Sequence, residues 1–242
     1  MLSPSAETYL GDNTLTSLLE EIEAPISVFE VKAIILGAIN NVALIPPSGV
    51  IEAIVGNPKE DEDAIEFKDQ DQAMRFYGQI FSCWNSMNDM KSAPIIFSPI
   101  PRDPTFETVV VALKARCEEL SAFLTFLDAA EYLEDFTSEE ALDAFSDLSN
   151  YESKLHEFMD SDIYKSENFQ SDALALLNEL TMLWDYAFPL LKKQLALIRV
   201  QNMSPSVKQS SAMNFDFNDP SRNSPCSCGS GKKFKRCCGR DT

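Results

Sequence analysis

Glycine is scarce in this chain: 8 of 242 residues, with none between Gly78 and Gly229. A stretch that long without glycine has few positions needing a positive φ. It excludes a glycine-rich phosphate loop there and favours helices with short connections over an all-β protein with many tight turns. Long apolar runs are also missing. No stretch of about 18 apolar residues occurs, so no membrane span is expected. The start, Met1-Leu2-Ser3-Pro4-Ser5, has neither the basic residues nor the apolar core of a secretion signal. The expected compartment is the cytoplasm, where thiols stay reduced.

Positive charge is scarce over most of the chain. Residues 1–200 carry 13 Lys/Arg against 35 Asp/Glu, a formal charge of −22, whereas residues 201–242 carry 7 against 3, or +4. An acidic body repels nucleic-acid phosphates and acidic membranes, so DNA binding is not expected of it. The remaining composition, 45% hydrophobic and 24% charged, is that of a globular protein able to bury a core.

The body reads as all-α, a single acidic helical domain over residues 1–200. A short helix is expected around Leu15, Leu18, Leu19 and Ile22. Ser27 and Glu30 form a capping box, in which each side chain satisfies the other residue's backbone N–H. The helix it opens carries Val31, Ile34, Ile35 and Ala38 at helical spacing. Pro46-Pro47-Ser48 ends one element and caps a short helix bearing Val50, Ile51, Ile54 and Val55, with Gly56 as its stop. Residues 57–69 read as a solvated acidic loop. Met74, Tyr77, Phe81, Trp84 and Met87 then recur at helical spacing. Four prolines over 92–105 exclude a helix there and suggest an irregular connection with an extended piece at Ile95-Ile96-Phe97. A long helix follows, with Val109, Val110, Leu113, Cys117, Leu120, Leu124 and Leu127 on its buried side. Thr137 to Glu140 reads as a second capping box, opening a helix with Leu142, Phe145 and Leu148. Another segment carries Leu155, Phe158 and Met159. The last helix should run from Ser171 to Arg199, kinked or divided at Pro189.

No catalytic constellation is visible in the body, and the expectation is that the protein is not an enzyme. The one histidine, His156, has no sequence partner and reads as structural. Cys83 and Cys117 lie in apolar helices, where cysteine behaves as a small hydrophobe. The many carboxylates read as solvated helix faces. An enzyme or enzyme regulator with a site assembled from scattered residues of the body is the alternative.

Residues 201–221 are rich in Gln, Asn, Ser and Met, with Pro205 and Pro220, and read as a flexible linker able to span about 25 Å r.m.s.. Phe215 and Phe217 either dock on the body or remain exposed.

The last segment, 222–242, concentrates the chemistry. Cys226, Cys228, Cys237 and Cys238 follow a C-x-C-x8-C-C spacing. Four thiolates suit tetrahedral zinc, with Zn–S of about 2.3 Å. Two disulfides or four thiols are the alternatives, and a reducing compartment disfavours the first. Phe234 is the segment's only large hydrophobe, so it cannot fold unaided, whereas metal binding supplies about 10–16 kcal/mol in small zinc peptides. One structural Zn2+ in a small knuckle is the expectation. Lys232, Lys233, Lys235, Arg236 and Arg240 exceed what is needed to offset the thiolate charge. This leaves a basic surface for an acidic partner.

The segment resembles the SEC-C motif, the zinc-binding module found at the C-terminus of the SecA translocation ATPase and of many other bacterial proteins. The resemblance is carried by Arg222-Asn223, Pro225, Cys226, Cys228-Gly229-Ser230-Gly231-Lys232-Lys233-Phe234-Lys235 and Cys237-Cys238-Gly239. Ser224 and Ser227 depart from the usual Asp and Pro, and neither is a ligand. The body resembles the YecA/YgfB-like family of helical bacterial proteins through Ser27, Glu30, Gly37-Ala38, Ile45-Pro46-Pro47-Ser48, Ile51, Ile54 and Gly56. Ala122-Phe123-Leu124 stands where that family has Gly-Phe-Leu, and Glu119-Leu120 replaces its Trp-Cys pair. These resemblances imply a zinc-binding adaptor whose basic knuckle contacts an acidic protein surface, such as a SecB-like chaperone, or the ribosome. For the body the family resemblance implies a helical fold and no substrate, and the adaptor reading makes it an interaction or homodimerisation module.

Overall fold

Secondary structure follows the capping and hydrophobic signals closely. A computed structural model of the chain describes residues 8–56, 64–88, 94, 96–160 and 166–202. Among these residues, seven α-helices run in order: α1 (Asp12–Glu21), α2 (Val28–Asn40), α3 (Pro47–Val55), α4 (Gln70–Asn88), α5 (Phe106–Leu127), α6 (Glu139–Asp160) and α7 (Phe169–Asn202). A 3-10 turn, Ala129–Asp135, links α5 to α6, and no strand occurs among the described residues. The fold class is all-α, as expected. None of these helices is long and apolar enough to cross a membrane. The chain divides into two units, Met1–Gln201 and Asn202–Thr242. The helices build the first. The expected knuckle, and the linker beyond Asn202, lie outside the described residues.

Helix α2 is the centre of the bundle. Its Ser27–Glu30 capping box forms as read, with the Glu30 N–H donating to Ser27 Oγ at 3.1 Å and the Ser27 N–H to Glu30 Oε2 at 3.4 Å. It is apolar nearly all round, from Val28 to Ala38, as befits a helix enclosed on several sides. Its most extensive partner is α5, and α1, α3 and α4 also pack on it. Gly37 makes the α2–α5 crossing close: a Cβ there would stand 2.6 Å from the Phe123 carbonyl oxygen and 2.9 Å from the Leu127 nitrogen. At the C-terminus of α2, Arg199 Nη2 donates to the Ile39 (2.8 Å) and Asn41 carbonyls. A residue of α7 thereby satisfies carbonyls that the helix end leaves open.

An aromatic cluster joins α5 and α7. Trp184 meets Phe123 edge-on at 4.8 Å and Phe97 at 5.3 Å, and stacks with Phe188 at 5.1 Å. The Trp184 indole N–H donates to the Pro94 carbonyl at 3.2 Å, tying the proline-rich connection to the core. Residues 96–105 are irregular, as their prolines require. Ile96 and Phe97 are buried there without forming a strand.

Several local expectations are corrected. Helix α3 is capped by Pro46, with Pro47 in its first turn and no side-chain cap from Ser48. On α4 the expected apolar stripe is borne out only in part: Met87 is buried and Tyr77 and Trp84 pack half-buried against the core, but Met74 is 63% and Phe81 43% exposed, and Phe76, Ile80 and Cys83 are buried in their place. The cap of α6 is Ser138, whose Oγ accepts from the Ala141 N–H, and Thr137 turns instead towards Gln194. Leu148 and Leu155 share one continuous α6. Helix α7 starts at Phe169, continues undivided through Pro189 and reaches Asn202, two residues into the expected linker. Gly56, with φ of 77°, ends α3 as read.

Candidate functional site

The four cysteines expected to bind zinc, Cys226, Cys228, Cys237 and Cys238, lie outside the described residues. So do Lys232, Lys233, Lys235, Arg236 and Arg240 of the basic surface. Their donor chemistry is that of a four-thiolate set, which fits zinc and fills a tetrahedral shell. Among the described residues, no group of three or more His, Cys, Asp or Glu side chains is placed to hold a metal ion.

The two body cysteines differ. Cys83 is sealed in α4 beneath Met87, and burial pushes its thiol up to about 11. Such a thiol is unreactive near neutral pH. Close by, Asp12 accepts from Tyr9 Oη at 2.7 Å and from Lys32 Nζ at 3.0 Å. These bonds hold its carboxyl below the ordinary range, against the opposing and individually larger effect of its burial.

Cys117 has a different setting. Its Sγ lies 3.2 Å from Nε2 of His156, on the neighbouring helix α6. The expectation that His156 lacks a partner is true of its sequence neighbours only. The pair lines a groove of about 430 Å³ between α2, α5 and α6. Ile34, Ala122, Phe126 and Met159 supply its apolar lining, and Glu30, Lys114 and Glu118 its charges. Burial raises the proton affinity of the half-buried Glu30 carboxyl, and the nearby Glu118 charge adds to this, whereas the Ser27 N–H opposes it. Sequence reading missed the pair because 39 residues separate its members. The available signal was that each falls at the edge of a buried stripe, beside Leu113 and Leu120 on α5 and Leu155 on α6.

Two charges lie deeper. Arg116 and Glu119 of α5 are 2% and 1% exposed. Glu119 Oε1 accepts from the Ser98 N–H at 3.0 Å, and Arg116 Nη2 donates to the Ser98 carbonyl at 3.0 Å. The Arg116 guanidinium lies 4.3 Å from the centre of the Phe97 ring. The two residues therefore clamp both backbone groups of Ser98 and fix the irregular segment on α5. Their own contact is long, 4.0 Å between Nε and Oε2, and neither of those atoms has a hydrogen-bond partner among the described residues. Desolvation dominates at Glu119 and pushes its carboxyl up to about 7, against the pull of Arg116 and the Ser98 N–H. A carboxylate expected on a solvated helix face is thus a buried structural group.

The chain matches the SEC-C motif family over residues 222–240. That span contains all four tail cysteines and all five basic residues named above. No curated protein and no solved structure matches the chain. The family match covers none of the helical body.

Proposed function

We propose that the chain is a non-enzymatic, zinc-binding adaptor. The observation that supports this is the SEC-C match at residues 222–240, which encloses four cysteines at C-x-C-x8-C-C spacing. Cys226, Cys228, Cys237 and Cys238 hold one Zn2+. Four thiolates leave no coordination position for a substrate, so the metal is structural. Folding of the knuckle around it presents Lys232, Lys233, Lys235, Arg236 and Arg240 together. These contact an acidic partner, by resemblance a SecB-like chaperone or the ribosome. The helical body, YecA/YgfB-like in this reading, serves as an interaction or dimerisation module in the cytoplasm. Its charge of −22 beside a +4 tail leaves recognition of an acidic surface to the tail.

The test is metal analysis combined with partner capture. The full chain should carry one zinc, and a chain ended at residue 220 none. Changing Lys232, Lys233 and Lys235 to Glu should keep the zinc and abolish partner binding. Changing Cys237 and Cys238 to Ser should lose both. Zinc retained by the shortened chain would overturn the ligand set. Unchanged binding by the Glu variant would move recognition to the body.

A second reading, an enzyme or enzyme regulator with its site in the body, is favoured by the groove that holds Cys117 and His156. Saturable binding of a small molecule to this groove, with turnover, would select it over the adaptor.

A further inference from the structure

The geometry points to Cys117 as a modifiable thiol, with His156 as its base and a small, charged disulfide as its reactant. Three observations converge. The Sγ of Cys117 is 3.2 Å from an imidazole nitrogen, within reach of proton transfer. Both residues line a groove of about 430 Å³, within the size range of small-molecule sites. The charges of that groove are of both signs, with Lys114 on one hand and Glu30 and Glu118 on the other.

Those charges select the reactant. Lys114 suits a carboxylate, and the two glutamates suit an ammonium group. An amino-acid-derived disulfide of the glutathione class carries both. The apolar lining from Ile34, Phe126 and Met159 accommodates its methylene and sulfur atoms. Both body thiols are buried, Cys83 at 1% and Cys117 at 3% exposure, and the difference lies in their neighbours. Cys117 has an imidazole beside it on a groove wall, whereas Cys83 meets the Met87 thioether and Tyr9 and is pushed up to about 11 by burial.

The step is thiol–disulfide exchange. His156 Nε2 takes the Cys117 proton, and the thiolate attacks one sulfur of the disulfide. A new Cys117 Sγ–S bond forms as the S–S bond of the reactant breaks. The departing thiolate receives the proton from His156. Cys117 is oxidised, and half of the reactant is reduced to free thiol, so the disulfide itself is the oxidant. The product places a charged adduct between α5 and α6, where Cys117 and His156 now meet. That adduct must separate the pair and widen the groove.

The test uses the full chain with oxidised glutathione at neutral pH, followed by mass analysis of the tryptic peptide that begins at Cys117. This peptide contains no other cysteine, so the tail thiols do not enter the readout. Cys117 should be modified in the native protein while Cys83 is not. His156→Gln should slow the reaction about a hundredfold or more, the scale of a lost general base. His156 is exposed, so this variant should keep the fold. Lys114→Ala should slow glutathione disulfide but leave the uncharged 2,2′-dithiodipyridine unaffected. Native Cys117 reacting no faster than Cys83 would overturn the assignment. Equal rates in wild type and His156→Gln would reduce the pair to a packing contact, and equal loss with both probes in Lys114→Ala would overturn the choice of a charged reactant.

Discussion

The Phe123 carbonyl oxygen of α5 lies 2.6 Å from where a Cβ on Gly37 of α2 would stand. The obstructing atoms include the backbone nitrogen of Leu127, at 2.9 Å, so no side-chain rotation relieves the clash. Gly37→Ala gains about 0.5–1 kcal/mol of helix propensity but forces the central helix pair apart, at a cost of about 1–3 kcal/mol. A net loss of up to about 2.5 kcal/mol is expected in urea denaturation of the full chain. Gly37→Val should be worse still, because its branched side chain cannot withdraw from a backbone contact. An alanine variant as stable as wild type would mean that the two helices separate without cost.

The buried Glu119 makes stability depend on pH. Its folded-state proton affinity is raised to about 7, chiefly by desolvation, while in the unfolded chain it titrates near the ordinary glutamate value of about 4.3. Between those values the folded state holds a proton that the unfolded state has lost. Stability from this group is therefore fully present below about pH 4.3 and falls as pH rises towards 7. The loss is at most about 3–4 kcal/mol, because each pH unit between the two values contributes about 1.4 kcal/mol. Glu119→Gln keeps a carbonyl oxygen for the Ser98 N–H and removes the titration. The stability difference between wild type and this variant should shrink or reverse across that window, measured by denaturation at a series of pH values. A constant difference would show that Arg116 keeps Glu119 ionised throughout.

What the sequence disclosed, and what it hid, follows from which forces leave local traces. The Ser27–Glu30 cap was legible because both partners lie within one turn. The cap of α5 was not: Thr105 and Thr108 satisfy each other's N–H groups with two hydroxyls, without the glutamate that marks the usual box. On α4 the large side chains Met74 and Phe81 pointed to the wrong face. The buried face includes Gln72, Gln79 and Ser82, and each is made compatible with burial by a hydrogen bond. Gln72 Oε1 accepts from the Lys68 N–H, Gln79 Oε1 from the Leu10 N–H, and Ser82 Oγ donates to the Gly78 carbonyl. Two of these three bonds reach beyond the helix itself, and no hydropathy pattern encodes them. The same holds for Cys117 with His156, and for the Arg116–Glu119 clamp on Ser98. In the tail, by contrast, the cysteine spacing was itself the signal, and the SEC-C match falls on the same residues.

Arg199 offers a test of long-range capping. Its guanidinium crosses from α7 to the carbonyls of Ile39 and Asn41. Arg199→Leu keeps an aliphatic stem for packing but leaves both carbonyls without this donor. A loss of about 1–3 kcal/mol is expected, the usual penalty for stranding buried polar groups. Arg199→Lys should recover only part of it, because one ammonium cannot reproduce the planar fork. Hydrogen exchange should show faster opening at the C-terminal turn of α2 in both variants. Unchanged protection there would mean that water replaces the guanidinium at no cost.

Metal removal separates the tail from the body. Among the described residues, the buried apolar core runs from Leu15 to Ile198, and the expected zinc ligands begin at Cys226. Metal binding in a small knuckle stabilises the segment that contains its ligands. Chelation of the full chain should therefore leave far-UV helicity and the main thermal transition nearly unchanged, while releasing one zinc per chain. A chain ended at residue 220 should melt at the same temperature as the chelated full chain. The partner, by contrast, should be lost on chelation, because the basic side chains of residues 232–240 are no longer held together. Binding by the untreated protein should also weaken as salt rises, since exposed charges are screened beyond about 8 Å at physiological ionic strength. A large loss of helix on chelation would refute this division, because it would show that the metal centre carries part of the stability of the helical core.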